Sequence, residues 1–295
     1  MSDFIISCCS TADLSKEFYK EKNIKYACFH YQVDGKEYLD DMYSSMDEKD
    51  FYEAMIAGSE TKTSQINADE FETFFRPFLQ EGKDILHVTL SSGISGVCNS
   101  ALIAKSNLEE EFPDRKIFVV DSLGASSGYG LLMSHLAAMR DEGKSIEEVC
   151  EWAENNKLNV HHWFFSTDLT FYIKGGRVTK TAGFVGNLLS ICPLLNVDYM
   201  GRLIPRFKVR TKKKVYAATV EQMKLHAEGG LDYDKECFIS GSYCDEDVFA
   251  VRDMIEETFP KLKGRVKVFK IGTTIGSHTG PGTVALFFWG DKRED

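Results

Sequence analysis

The residues with chemistry to offer in this 295-residue chain are two runs of hydroxyls, a histidine set among glycines and an arginine in a Gly-Gly turn. In Ser91-Ser92-Gly93-Ile94-Ser95-Gly96 a strand pattern feeds a small-residue turn that opens a helix. Such a turn directs unpaired backbone N–H groups and hydroxyls at one point, and the helix dipole adds partial positive charge. An anion fits there, and so does simple N-capping by Ser92 or Ser95. Thr63-Ser64-Gln65 stands at the entrance of another predicted helix, where capping is again the plain alternative. If both runs lie on one edge of a sheet, two hydroxyl-bearing helix starts can hold one carboxylate or phosphate between them.

Ile275-Gly276-Ser277-His278-Thr279-Gly280-Pro281-Gly282 reads as a tightly specified loop in which the backbone approaches something closely. His278 is either a satisfied structural residue or, lacking side-chain cover from its glycine neighbours, open to a ligand. Arg177, within Lys174-Gly175-Gly176-Arg177, has the planar fork that suits a carboxylate or phosphate, or else sits in a solvated turn. Downstream, Arg202, Arg206, Lys208, Arg210, Lys212, Lys213 and Lys214 form a basic run that is also compatible with an ordinary charged hairpin. There is no GxxxxGK[ST] loop, no GxGxxG after the first strand, no HExxH and no GxSxG. Asp13, Asp121 and Asp168 are isolated carboxylates at strand ends that no spacing pairs. The pattern is an anion cradle without an evident nucleophile, base or metal, and so without a catalytic residue or metal ligand to name.

The elements that must position these groups alternate. Strands over 4–7, 26–33, 84–90 and 116–120 are interleaved with helices over 47–57, 68–80, 97–111, 131–142 and 146–157. Strands ending in small-residue turns predict an α/β fold with a parallel sheet covered on both faces and ligands at the carboxyl ends of its strands. From about residue 159 the grammar changes to a strand at 163–166, a Gly-Gly loop and an apolar segment at 184–195. A hairpin across Met200-Gly201, a helix at 245–259 and strands at 236–240, 266–271 and 283–289 follow. We read residues 1–158 as a parallel-sheet α/β domain and 159–295 as a second, α+β domain.

Charge and cysteine usage narrow the function. With 35 Lys and Arg against 45 Asp and Glu, the net charge of -10 repels a phosphate backbone or an anionic bilayer, which argues against nucleic acid as partner. The eight cysteines show no CxxC pair and no metal-ligand spacing, and read as free thiols of a reducing compartment. The start Met1-Ser2-Asp3-Phe4 lacks the pattern of a secretory signal, and the uncharged stretches are broken by Gly, Pro, Asn or Ser, so no membrane span is expected. A cytoplasmic location follows as the expectation.

Taken in order, Ser10-Thr11-Ala12-Asp13-Leu14, Thr63-Ser64-Gln65, the Ser91–Gly96 turn, Val120-Asp121-Ser122, Lys174-Gly175-Gly176-Arg177, Lys208-Val209-Arg210 and Gly276-Ser277-His278-Thr279-Gly280-Pro281-Gly282 resemble the DegV family across nearly the whole chain. The resemblance implies a two-domain fatty-acid-binding protein, similar to the fatty-acid-binding subunit of bacterial fatty acid kinase, with a long acyl chain buried between the domains. It implies head-group contacts from Thr63 and Ser95, with His278 nearby and Ser64 and Ser92 as secondary candidates. It further implies no cofactor, and presentation of the bound acid to a separate ATP-dependent kinase subunit that docks on Arg177 and Arg210. The chain departs from the family pattern at Cys9 (usually Asp), Ile66-Asn67 (usually Pro-Ser) and Cys192 (usually Lys). The competing class is an enzyme acting on a small phosphorylated or carboxylated metabolite, with His278 and one of Asp13, Asp121 and Asp168 as acid and base. A long apolar cavity favours the carrier; a short polar one with convergent carboxylates favours the enzyme.

Overall fold

The computed structural model describes residues 4–167, 169–178 and 191–294. Asp168 and most of the apolar segment 184–195 lie outside the described residues. The chain begins with β1 (Phe4–Cys9), a 3-10 turn, α1 (Lys16–Glu21), β2 (Ile24–Ala27), β3 (His30–Val33), β4 (Lys36–Leu39), α2 (Glu48–Ile56) and β5 (Thr61–Ser64). It continues through α3 (Ala68–Gln80), β6 (Asp84–Thr89), α4 (Val97–Glu111), β7 (Ile117–Asp121), α5 (Ser127–Asp141) and α6 (Ile146–Asn156). Four strands form a parallel sheet in the order β2-β1-β6-β7. Its centre is apolar on both faces, as a covered parallel sheet requires: every residue of β1 is buried, and so is β6 after Asp84.

The remainder supplies β8 (Val160–Phe165), α7 (Thr170–Lys174), β9 (Ile191–Val197), β10 (Leu203–Arg210), α8 (Lys212–His226), β11 (Cys237–Gly241), α9 (Asp245–Thr258), β12 (Lys267–Lys270), α10 (Thr273–Thr279) and β13 (Val284–Trp289). Six strands make a mixed sheet, β10-β9-β8-β13-β11-β12, in which only the β11–β12 pair is parallel. Helix α5 packs on β8, β11 and β13 and so joins this sheet to the first. None of the described helices is long and apolar enough to cross a membrane.

Three expectations are corrected. The single strand expected over 26–33 is two: β2 pairs with β1 in the parallel sheet, whereas β3 pairs with β4 and β5 in a separate antiparallel sheet. The break falls where Phe29 turns inward, its N–H donating to Ser10 Oγ at 3.1 Å and its carbonyl accepting from Asp40 N–H at 2.9 Å. Thr63-Ser64-Gln65 is likewise not a helix entrance, because Thr63 and Ser64 belong to β5 and the entrance of α3 is Asn67. Asn67 Oδ1 accepts from Glu70 N–H at 3.0 Å while the Glu70 carboxylate accepts from Asn67 N–H at 2.8 Å, a reciprocal cap that keeps the helix entry despite the unusual Ile66-Asn67. Most of the predicted loop around His278 is helix α10, which ends at Gly280 with φ +70°.

Candidate functional site

A cavity lies where the three sheets meet. Its walls are mostly apolar, with Phe29, Leu90, Ile94, Phe164, Leu203 and Phe287 among them. The polar exceptions include Thr63, Ser95, His278 and Arg177. No aspartate or glutamate lines it among the described residues.

Each polar group arrives on its own element. Strand β5 pairs with β3 in antiparallel register, Thr63 opposite Tyr31, and alternation turns Thr63 to the cavity while Ser64 is exposed. Helix α10 packs against β5 and α7, and Gly276 lets it also close on α2, where a Cβ would stand 2.4 Å from Tyr52 Oη. His278 Nε2 and Thr63 Oγ1 thereby come within 2.7 Å, while His278 Nδ1 is buried without a partner among the described residues. Gly175 makes room on that side, since a Cβ would lie 2.4 Å from Nδ1.

Ser95 reaches the same cavity from the turn before α4. Its Oγ donates to Gln65 Oε1 at 3.2 Å and accepts from Val97 N–H at 3.2 Å, so the capping bond and a link to β5 share one hydroxyl. Gln65 Nε2 donates to Ser100 Oγ at 3.1 Å, which fixes α4 against the end of β5. Ser92 is exposed and away from the cavity, its N–H donating to Asp121 Oδ1 at 3.1 Å. The structure thus brings Thr63, Ser95 and His278 to one cavity and leaves Ser64 and Ser92 outside it. Gln65 is a residue that residue-type reasoning passed over; its position two residues after Thr63 in the hydroxyl run was the available signal.

Electrostatics at this end favour a bound anion. Burial, and then the nearby Arg177 charge, pull His278 down to about 4, so its imidazole is neutral at pH 7. Burial also lowers Arg177, whose Nη1 donates to the Gly175 carbonyl at 2.5 Å and which has no carboxylate partner among the described residues. Arg177, expected at a docking surface, is exposed and also lines the cavity beside His278. Arg210 ends β10 on the exterior.

Two of the three carboxylates weighed as acid–base partners of His278 have hydrogen-bond partners away from the cavity. Asp13 is 4% exposed and accepts from Ser126 Oγ at 2.5 Å, and Asp121 Oδ1 accepts the N–H groups of Ser92 and Leu123, each at 3.1 Å. Neither lines the cavity, and Asp168 lies outside the described residues. All eight cysteines are free thiols.

Two turns remote in sequence meet beside the cavity. Ser91 Oγ donates to the Gly201 carbonyl at 2.8 Å, and a Cβ on Gly93 would lie 2.5 Å from the Met200 carbonyl oxygen. Both sides therefore need glycine where the hairpin between β9 and β10 settles on the turn before α4.

Comparison with known proteins agrees with this architecture. Residues 6–291 match the family described as uncharacterised protein, DegV family. A DegV domain-containing protein of Clostridium perfringens is 37% identical over 294 residues, covering 100% of both chains. Among solved structures, a DegV lipid-binding protein from Thermotoga maritima is 27% identical with a TM-score of 0.84, covering 100% of both chains. The fatty acid kinase B3 protein of Streptococcus pneumoniae, loaded with linoleic acid, is 25% identical with a TM-score of 0.81 over 99% of this chain and 100% of that one. Spanning both sheets and the cavity between them, these matches show that the chain belongs to the DegV family.

Proposed function

We propose that this protein is a non-catalytic carrier that buries a long-chain fatty acid, with the carboxylate held by Thr63, Ser95, His278 and Arg177. The observation that carries the reading is the cavity: apolar along most of its wall, hydroxyls, an imidazole and an arginine together, and no lining carboxylate among the described residues. Each buried methylene contributes about 0.8 kcal/mol, so the tail supplies most of the affinity and the polar end sets orientation. A carboxyl-bearing metabolite enzyme would need a general acid or base pair in reach of His278, and Asp13 and Asp121 are committed to other hydrogen bonds. The bound fatty acids named for related structures, linoleic acid among them, support the same ligand class.

The carrier serves, in this reading, as the acid-presenting subunit of an ATP-dependent fatty acid kinase in the cytoplasm, needing no cofactor of its own. The likeness to the fatty acid kinase B3 protein supports the partner, and the free thiols support the compartment. Arg177 and Arg210, the latter with the basic residues around it, are the proposed docking contacts. Residues 1–158 and 159–295 are proposed as the two domains, a division supported by the six-stranded mixed sheet being drawn wholly from strands after residue 159 and by cavity walls drawn from both.

Mass spectrometry of the organic extract of natively purified, then denatured, protein tests the carrier. A stoichiometric fatty acid is expected. An empty extract, together with failure to take up any of a panel of added fatty acids, would overturn the reading. Charge reversal at Arg210 should weaken coupling to a kinase subunit while lipid binding stays unchanged; equal loss of both counts against the docking role.

A further inference from the structure

We propose that His161, His226 and Asp291 form a surface site for a divalent transition-metal ion of the zinc class, with water completing the coordination. The three residues come from β8, the C-terminal end of α8 and the segment after β13, and their ligand atoms all lie within 4.8 Å of one another. Asp291 Oδ1 stands 2.9 Å from His161 Nε2 and 3.1 Å from His226 Nδ1. Bonds of about 2.0–2.1 Å to a tetrahedral zinc place neighbouring ligand atoms roughly 3.3 Å apart, close to these separations.

The site is pre-organised by backbone rather than by its own side chains. Asp291 N–H donates to the His226 carbonyl at 3.1 Å, Gly290 N–H to the Asn159 carbonyl at 2.8 Å, and Arg293 N–H to the Leu158 carbonyl at 3.0 Å. The three ligand-bearing segments are thus stitched together before any ion arrives. Gly290 is the residue that allows it: a Cβ there would stand 2.3 Å from the His226 carbonyl oxygen and 3.1 Å from His161 Nε2. No larger residue fits at the point where the segments cross.

The chemistry of the donors selects the ion. Two imidazoles and one carboxylate suit zinc, cobalt or nickel rather than magnesium or calcium, which take all-oxygen shells. His161 is 5% exposed and stacked on Phe288, which holds its ring in place. Without metal, His161 Nε2 pairs with the Asp291 backbone carbonyl at 2.9 Å and His226 Nδ1 with the Asp291 carboxylate at 3.1 Å, the two rings lying stacked with centroids 4.8 Å apart. Ligation requires an unprotonated nitrogen facing the ion, so with the ion bound each ring carries its proton on its other nitrogen. Asp291 is exposed, so the remaining position opens to solvent. Alternation along β8 sends His162 to the lipid cavity and His161 to the opposite face, so the two sites share a strand but no volume.

Titration of tag-free, chelator-treated protein with ZnCl2 by calorimetry tests the site, with His226→Ala and Asp291→Asn as variants. One ion per chain is expected, with affinity in each variant falling by at least the about 10- to 100-fold that altering even a second-shell partner costs. In the wild-type protein the ring NMR signals of His161 and His226 should shift on zinc addition while those of the other histidines stay, a readout that needs no variant to fold. Unchanged fatty acid uptake by both variants confirms that lost affinity is not misfolding. Absence of saturable one-to-one binding, unmoved His161 and His226 signals, or affinity that survives in either folded variant overturns the three-ligand site.

Discussion

Thr63 and His278, 215 positions apart, meet through an Oγ1 to Nε2 contact of 2.7 Å at the wall of the cavity. Only one tautomer leaves this pair ready for an anion. With the ring proton on Nε2, His278 donates to Thr63 Oγ1, and the threonine hydroxyl proton is free to point at a carboxylate. Strand β5 and helix α10 must be docked for that arrangement, so the contact couples ligand binding to closure of the fold around it.

Replacing Thr63 with alanine, alone and with Ser95→Ala, should weaken fatty acid binding while the protein stays folded. Hydrogen bonds to charged groups are worth about 1.5–3 kcal/mol each, so roughly ten- to a hundredfold is expected for the single change and more for the double. Displacement of a fluorescent fatty acid measures it. Wild-type affinity in a folded double variant would remove the head-group assignment.

Gly128 is the closest approach of α5 to the cavity floor. A Cβ there would stand 2.2 Å from His162 Nε2 and 2.6 Å from Phe287 Cδ1, both cavity-lining residues. Gly128→Ala should therefore cost about 1–3 kcal/mol in chemical denaturation, the usual cost of overpacking. It should also shift chain-length preference toward shorter acids, because His162 and Phe287 can give way only into the cavity. Equal preference in variant and wild type would place the acyl chain elsewhere.

His87 predicts an acid-sensitive term in stability. Its ring is fully buried with Phe71 and Phe75 at 5.0 and 5.1 Å, Nδ1 lies 2.9 Å from Ser7 Oγ, and burial alone pulls it from 6.5 to about 3. Below pH 6.5 the unfolded chain takes up a proton that the folded chain refuses, so this contribution to stability falls as pH drops from about 6.5 toward 3. Thermal melts across that range should show a steeper loss for the wild type than for His87→Gln. Parallel curves would mean that the ring is protonated in the folded protein.

Asp13 predicts the opposite trend at higher pH. Burial, and then the neighbouring Asp40 carboxylate, raise its carboxyl well above 3.8, while Ser126 Oγ donates to it at 2.5 Å. A raised folded-state value stabilises below the unfolded value and is lost as pH rises through the folded one. Asp13→Asn keeps an acceptor for Ser126 and removes the ionisation, so the wild type should lose melting temperature relative to the variant as pH increases. A difference independent of pH between 5 and 9 would contradict it.

Local periodicity alone was enough for several elements. Helices α3 and α4 stand where their apolar spacing puts them, Ala68–Gln80 and Val97–Glu111, and the hairpin turns at Met200-Gly201. These are decided by neighbours in sequence, as amphipathic helices and tight turns are. The order of short motifs also carried the family, because seven local patterns in one sequence need no contact map.

Pairing and close approach were decided only in three dimensions. Residues 26–33 alternate as one strand would, yet Tyr26 and Ala27 join a parallel sheet and His30 to Val33 an antiparallel one, since alternation does not say which partner is across. Glycines around His278 read as a loop because a missing side chain looks like freedom, whereas Gly276 is missing one to let α10 lie against Tyr52. Arg177 could be read from its type as an anion binder but not as a wall of the cavity, and His161, His226 and Asp291 converge from three elements with no spacing to mark them. What residue types and local spacing determined was the family, the alternation and the hydroxyl runs; which of those groups face one another was set by sheet pairing and helix docking, whose energies arise between segments remote in sequence.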